Sequence, residues 1–273
     1  MCGVIGLIFE RTRKDLGLVA AELLQTLEYR GYDSTGAAVQ GDAPDDVRLV
    51  KGVGAPSVMV HKLGIVKMEG RVFCGQVRWA TFGAVTDANS QPHVVRCKAH
   101  LYGAHNGNVT NCDDLKAWLT AEGHQVASDN DGEMVVHTIE HFFALELASA
   151  PQAQRERSDV RRACMRAAIV RGCARLKGSF AAVVVDPVSA CVWAIKQGSS
   201  LYFGFGTDDA GGSFRIASSD LSSVLRLTRV LVPMHEGEFA EYDATGHCLY
   251  AIPAADGRST VLPGATSLHR EPV

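Results

Sequence analysis

No two cysteines in this chain stand at C-x-x-C spacing, although eight are present, at Cys2, Cys74, Cys97, Cys112, Cys164, Cys173, Cys191 and Cys248. The spacing used by zinc ribbons and thioredoxin-like redox sites is therefore absent. No apolar run approaches the ~18 residues that a membrane span needs. The run from Gly3 to Phe9 is short, has no basic segment ahead of it and is followed by Glu10, Arg11 and Arg13, so it does not read as a secretory signal. Scattered cysteines without such a signal suggest the reducing cytoplasm, away from membranes. An excess of charge is missing as well. The net charge is −3 and the pI about 6.4, which gives no electrostatic reason to expect a nucleic-acid partner.

What is present is an ordinary globular composition, 47% hydrophobic and 21% charged, enough to bury a substantial core. Gly3 to Glu10 reads as a buried strand. Asp15 can cap a helix whose apolar positions Leu16, Val19, Ala20, Leu23, Leu24 and Leu27 recur at helical spacing, with Gly31 ending it. Strands are expected at 36–40, 47–51, 71–80 and 97–105, with a Gly/Asn/Ser/Pro-rich loop at 81–92. Asn111 can cap a short helix closed by Gly123. A second helix is expected over 129–147, and a polar, arginine-rich stretch after it is an exposed connection or the start of a third helix ending near Lys177. From Ser179 onward short apolar runs repeat about every ten residues, as in an antiparallel meander. The pattern predicts an α+β domain with sheets packed between helices.

The second residue is the first candidate for chemistry. If Met1 is removed, Cys2 carries a thiol and a free α-amine on one Cα. With reference pKa values of about 8.5 and 7.7–8.0, the amine can take the thiol proton near neutral pH, and the thiolate is the nucleophile. Such a site also needs an oxyanion hole and a clamp for the substrate. In H-N-G-N, residues 105–108, Asn106 offers side-chain donors and Gly107 lets a ligand approach the backbone. The plainer reading is an Asn-Gly hairpin turn. Arg78 in Q-V-R-W-A-T-F-G, residues 76–83, can grip a carboxylate with a two-pronged hydrogen bond or serve as a surface ion pair. Asp131 can accept from a substrate ammonium or cap a helix.

These pieces occur together, and in this order, in one family. Met1 to Gly6, L-E-Y-R-G-Y-D-S-T-G at 27–36, R-W-A-T-F-G at 78–83 and H-N-G at 105–107 resemble the glutaminase domain of class II glutamine amidotransferases, as found in sugar-phosphate synthases. D-N-D-G-E at 129–133, L-K-G-S-F at 176–180, S-S-D-L-S-S-V-L at 218–225 and E-G-E-F-A-E-Y at 236–242 extend the likeness to about residue 245. The resemblance implies a four-layer αββα sandwich of the N-terminal nucleophile hydrolase type. It implies a glutaminase domain over 2–250, with 251–273 as a tail or interdomain linker. At matching positions, Cys2 is the expected nucleophile and base, Asn106 and Gly107 the oxyanion hole, and Arg78 the carboxylate clamp with Thr81 in a closing loop. Asp131 is the expected ammonium partner, Trp79 an ammonia gate and Arg30 a supporting residue. The implied substrate is glutamine and the implied partner an ammonia-accepting synthase domain or subunit, a sugar isomerase by resemblance. No metal or organic cofactor is implied; the oligomeric state is open, a homo-oligomer included.

The sequence also departs from the family pattern. Gln76, Val77 and Phe82 stand where sugar synthases usually have His, Thr and His, and Gly132 replaces a usual Thr. The usual N-A-H-P-H reads Asn89-Ser90-Gln91-Pro92-His93. These changes motivate a rival reading, a glutamine-sensing or scaffolding module without catalysis. His137-Thr138-Ile139-Glu140-His141 matches the inverted zinc-protease pattern H-x-x-E-H. Its histidines lie opposite Val135, Ile139 and Phe142, on a face expected to be solvated, and a zinc site would need a further ligand and a sheltered cavity.

Overall fold

Residues 3–9 are apolar at nearly every position, and the architecture explains why one strand must be apolar on both sides. The structure, a computed structural model, describes residues 2–81, 83–253 and 264–273; Met1, Phe82 and residues 254–263 lie outside that set. In β1 (Gly3–Arg13), Ile5, Leu7 and Phe9 face a helical layer, while Val4 and Ile8 face a second sheet. That is the two-residue period of a strand with both faces covered.

The strands that follow are β2 (Ser34–Gln40), β3 (Val47–Val53), β4 (Gly70–Arg78), β5 (His93–Val95), β6 (Leu101–Val109), β7 (Gly178–Asp186) and β8 (Cys191–Gln197). Then come β9 (Tyr202–Thr207), β10 (Ser213–Ser218), β11 (Leu231–Val232), β12 (Glu238–Tyr242), β13 (His247–Ala251) and β14 (Thr266–Leu268). The helices are α1 (Leu16–Thr26), α2 (Pro56–Lys62), α3 (Cys112–Ala121), α4 (Asp131–Ser149), α5 (Ser158–Arg175) and α6 (Leu221–Leu225). One antiparallel sheet has the order β11-β9-β10-β1-β4-β2-β3 and the other β14-β13-β12-β8-β7-β6-β5. They stack face to face, with α1 packed outside the first and α4 and α5 outside the second. This is a four-layer αββα sandwich, the architecture that the resemblance implied.

Three apolar layers hold it. Leu16, Leu23, Leu24 and Leu27 of the α1 segment are fully buried against Ile5, Leu7 and Phe73. Burying each such side chain contributes about 1.5–3 kcal/mol before the chain-ordering cost. Between the sheets lie Val183, Val192, Phe203 and Tyr242. The sheets come close at Gly6, where a Cβ would stand 2.6 Å from Val183 Cγ1, and the Tyr242 hydroxyl donates to the Gly6 carbonyl at 2.9 Å. The third layer joins Val136, Ile139 and Phe143 of α4 to Trp193 and Ile195.

Several expectations need correction. Asp15 precedes α1, but its carboxylate binds Arg13 rather than capping the helix. Asn111 makes no side-chain cap to α3; it takes the Lys177 N–H and donates to the Arg175 carbonyl, tying α3 to the end of α5. Residues 97–105 are not one strand: β5 lies before them and β6 starts at Leu101. H-N-G-N is no hairpin turn, because β6 runs through it and pairs Asn106 with Ala181 and Gly107 with Phe180. Apart from these corrections, residues 264–273 carry β14 on the edge of the second sheet, and Arg270 grips both oxygens of Glu238 at 2.6 and 2.7 Å.

Candidate active site

The start of β1, the end of β4 and the middle of β6 meet at one rim of the sandwich. Between them is a cavity of about 420 Å³ lined by Cys2, Arg30, Trp79, Thr81, Asn106 and Gly107. Asn108, Ser179 and residues 198–200 complete its lining. Six of the eight residues singled out from the sequence thus share one cavity. Arg78 and Asp131 do not line it, but both are buried and their charges act on the Cys2 thiol.

Cys2 is half-buried, with Sγ 3.4 Å from the Trp79 carbonyl. Burial pushes its thiol pKa up and the Asp131 carboxylate adds to that, while Arg78 pulls it down. Arg30 holds the other side of the residue, donating from Nε to the Cys2 carbonyl at 3.0 Å. Its Nη1 lies 2.9 Å from Asp220 Oδ2, a carboxylate that also takes the Tyr29 hydroxyl and caps α6 through the Ser222 N–H. The next residues of β1 are fixed by Ser219, whose hydroxyl accepts the Val4 N–H at 3.0 Å and whose own N–H donates to the Val4 carbonyl.

Y-R-G-Y-D-S acquires a physical meaning here. A Cβ on Gly31 would sit 2.5 Å from the Arg78 carbonyl carbon, so only glycine lets this turn lie against the end of β4. Asp33 donates its N–H to the Arg78 carbonyl and accepts the Ala80 N–H at 2.8 Å. Tyr32 meets Trp79 with ring centroids 5.3 Å apart, and both rings are exposed at the rim. The segment Arg78-Trp79-Ala80 is therefore braced from 31–33 before any ligand arrives.

Beyond it, residues 83–92 are tied down at several points. Arg78 donates to the Ala84 carbonyl at 3.0 Å, and Asn89 donates to the same carbonyl and accepts the Asp129 N–H. Gln91 accepts the His105 N–H at 2.8 Å.

Gly107 has φ +145°, and a Cβ there would lie 2.2 Å from the Ser179 carbonyl oxygen, so the glycine is sterically required. Asp131 is the first residue of α4, and the capping role belongs to Asn130, which accepts the Gly132 N–H. Asp131 Oδ2 accepts the Val109 N–H at 3.0 Å and lies 3.1 Å from His105 Nε2, outside the direction of a formed hydrogen bond. Burial works against its charge, yet the His105 imidazole and the Val109 N–H hold its pKa down at about 2.

Asp33, Ser219, Asp220 and the Ser179/198–200 wall were not singled out as site residues. Asp33, Ser219 and Asp220 stand inside runs that carried the resemblance, which was the available signal. Residues 198–200 carry only Gly-Ser-Ser, an ordinary turn composition.

A sandwich of two antiparallel sheets, with residue 2 at the mouth of a cleft between them, defines the N-terminal nucleophile class of fold. The sequence then gives the family. The glutamine amidotransferase domain pattern matches residues 77–223, just over half of the chain, and the chain belongs to that family. It is 31% identical over 266 residues to the glutamine–fructose-6-phosphate aminotransferase [isomerizing] of Aeropyrum pernix, covering 96% of this chain and 39% of that protein. It is 32% identical over 241 residues to the enzyme of the same name from Thermococcus kodakarensis, covering 88% of this chain and 36% of that protein. The chain thus spans little more than a third of these relatives' length. Among solved structures, the glutamine phosphoribosylpyrophosphate amidotransferase of B. subtilis, complexed with ADP and GMP, superposes with TM-score 0.69 at 19% identity, covering 96% of this chain and 50% of that one. Among the described residues, no helix is long and apolar enough to cross a membrane.

Proposed function

We propose that residues 2–250 hydrolyse the side-chain amide of glutamine and deliver the ammonia to a synthase domain or subunit, with 251–273 as a tail or interdomain linker. The observation that carries the reading is Cys2 at the mouth of the cavity bounded by Asn106 and Gly107. Glutamine enters with its α-carboxylate toward Arg78 and its α-ammonium toward Asp131. With Met1 removed, the Cys2 α-amine takes the thiol proton and the thiolate attacks the amide carbon. The tetrahedral oxyanion is met by Asn106 and the Gly107 region, each such donor being worth about 2.7–4 kcal/mol of barrier. The α-ammonium returns the proton to nitrogen, the C–N bond breaks, ammonia leaves, and water hydrolyses the glutamyl thioester to glutamate. Trp79 stands at the rim to gate the ammonia, and Thr81 closes with its loop.

Arg30 acts through position, since it grips the Cys2 carbonyl. The names of the relatives support a sugar phosphate as the acceptor. The reaction uses no metal or organic cofactor in this cavity, and the setting is the cytoplasm.

The test is mass spectrometry of glutamate formed from glutamine by wild type and Cys2→Ala. Release by wild type alone is expected, and equal release from both rejects the mechanism. Glutamine binding without release by wild type assigns the chain to the sensing or scaffolding role instead. Adding fructose 6-phosphate and a candidate isomerase subunit tests the acceptor.

A further inference from the structure

The H-x-x-E-H face of α4 was expected to be solvated, and the structure overturns that. His137, Glu140 and His141 are all buried, because α4 is covered on one side by the second sheet and α5 and on the other by the segment around His124. There His124 Nδ1, His137 Nδ1 and Glu140 Oε2 form a triangle with edges of 3.3, 3.1 and 2.9 Å. Cys97 brings its Sγ within 4.8 Å of the other donor atoms.

The geometry points to a zinc site made of Cys97, His124, His137 and Glu140. Four donors at ordinary zinc distances leave tetrahedral N/O edges of about 3.3 Å and a sulfur edge of about 3.6 Å. The triangle already has nearly those dimensions, and the thiol needs to close by on the order of 1 Å.

The hydrogen bonds around the cluster turn lone pairs inward. Lys98 Nζ has no acceptor capacity and lies 3.5 Å from His141 Nδ1, so that nitrogen is the acceptor. It therefore also accepts from His124 Nε2, 3.1 Å away. In the Nε2–H tautomer, His124 turns a bare Nδ1 toward Glu140 Oε2, 3.1 Å away. Glu140 Oε1 is already filled by the Lys98 and Ala99 N–H groups at 2.7 and 3.0 Å, which leaves Oε2 facing the centre.

His137 directs Nε2 at Glu133 Oε1, 3.6 Å away, and Nδ1 at the centre. Cys97 Sγ receives the Gln125 N–H at 3.2 Å. Two lone pairs facing each other at 3.1 Å require positive charge between them, and Cys97, His124 and Glu140 each have an outer hydrogen-bond partner of the kind metal ligands generally have. A cavity of about 340 Å³ bordered by Cys97 and His137 opens beside the cluster and offers a way in.

Binding releases the Cys97 thiol proton to water and leaves four protein donors on the ion. Such a closed site is structural and not hydrolytic, so the H-x-x-E-H pattern does not signal a protease here. It would join the β5–β6 connection, the α3–α4 connection and α4 at one point, about 9 Å along α4 from Asp131.

The test uses the whole chain without a histidine tag, stripped of metal and then titrated with Zn²⁺, followed by elemental analysis. About one zinc per chain, retained on gel filtration, is expected for wild type and for the Cys248→Ser control, and a large loss in Cys97→Ser and His124→Asn. Should those variants not fold, wild type loaded with Co²⁺ decides, because thiolate ligation gives a sulfur-to-cobalt charge-transfer band. A folded wild-type chain that takes up no zinc, or a cobalt adduct without that band, overturns the proposal and leaves a proton-bridged network. Zinc uptake unchanged in folded Cys97→Ser and His124→Asn overturns it too.

Discussion

Replacing Asp220 tests how far the position of Cys2 depends on residues remote in sequence. Asp220 does two jobs: it neutralises Arg30, which holds the Cys2 carbonyl, and it caps α6 through the Ser222 N–H. Asp220→Asn keeps the cap, since Asn caps as well as Asp, and removes the charge. The side chains of Arg30 and Asp220 are only 10% and 7% exposed, so the guanidinium would be left nearly buried beside a neutral amide. Breaking a fully buried pair costs about 3–5 kcal/mol; contact with the cleft puts this one below that range, at about 2–3 kcal/mol.

Asp220→Ala also loses the cap, adding about 1 kcal/mol. Urea unfolding should therefore rank wild type above Asp220→Asn and that above Asp220→Ala. Under the proposed mechanism, glutamate release should fall in Asp220→Asn on the order of 10-fold to 100-fold, because a displacement of about 1 Å at the proposed nucleophile is that expensive. A thermodynamic cycle with Arg30→Met isolates the pair, and the charge substitution should cost much less once the arginine is gone. Wild-type stability together with wild-type turnover in Asp220→Asn would refute the reasoning.

Gly107→Ala puts a Cβ 2.2 Å from the Ser179 carbonyl oxygen at φ +145°, and β6 and β7 must part to accept it. A loss of about 2–3 kcal/mol in denaturant and of nearly all glutamate release is expected; a wild-type melting curve would contradict the close approach. Asp131 makes stability depend on acid. Its folded pKa is about 2 against 3.8 for the free side chain, so its contribution is complete above pH 3.8 and is lost as the pH falls through about 2. That contribution is about 2 kcal/mol. Circular dichroism between pH 5 and 2 should show a shallower acid limb for Asp131→Asn, and identical slopes would sink the assignment.

Much of the sandwich was legible because strand periodicity and helical spacing answer to local packing. β1, α1 and the strands after Ser179 fall close to where their apolar residues put them. The strands of the late meander, however, are not all neighbours. β9 and β10 join the first sheet beside β1, while β7, β8 and β12 build the second. Apolar runs in series do not state which sheet receives each one. Asn106-Gly107 was ambiguous for a related reason. As a pair it is ordinary turn chemistry; inside β6 its glycine serves a backbone approach to Ser179, a contact 72 positions away along the chain.

The error at α4 is the most instructive. Reading one apolar stripe as the buried face assumes that the other face meets water. In a four-layer sandwich that holds only where nothing crosses the outer helices. Over its first three turns α4 is covered on all sides, so residues 131–141 are buried whatever their polarity. A buried helix face containing His137, Glu140 and His141 must satisfy its polar atoms from within the protein. Lys98, Ala99 and His124 do so for Glu140 and His141, and each of those bonds narrows the tautomers and lone pairs available. The same apolar spacing that located the helix thus concealed its second interface, and the polar residues reveal that interface only when their hydrogen-bond partners are traced one by one.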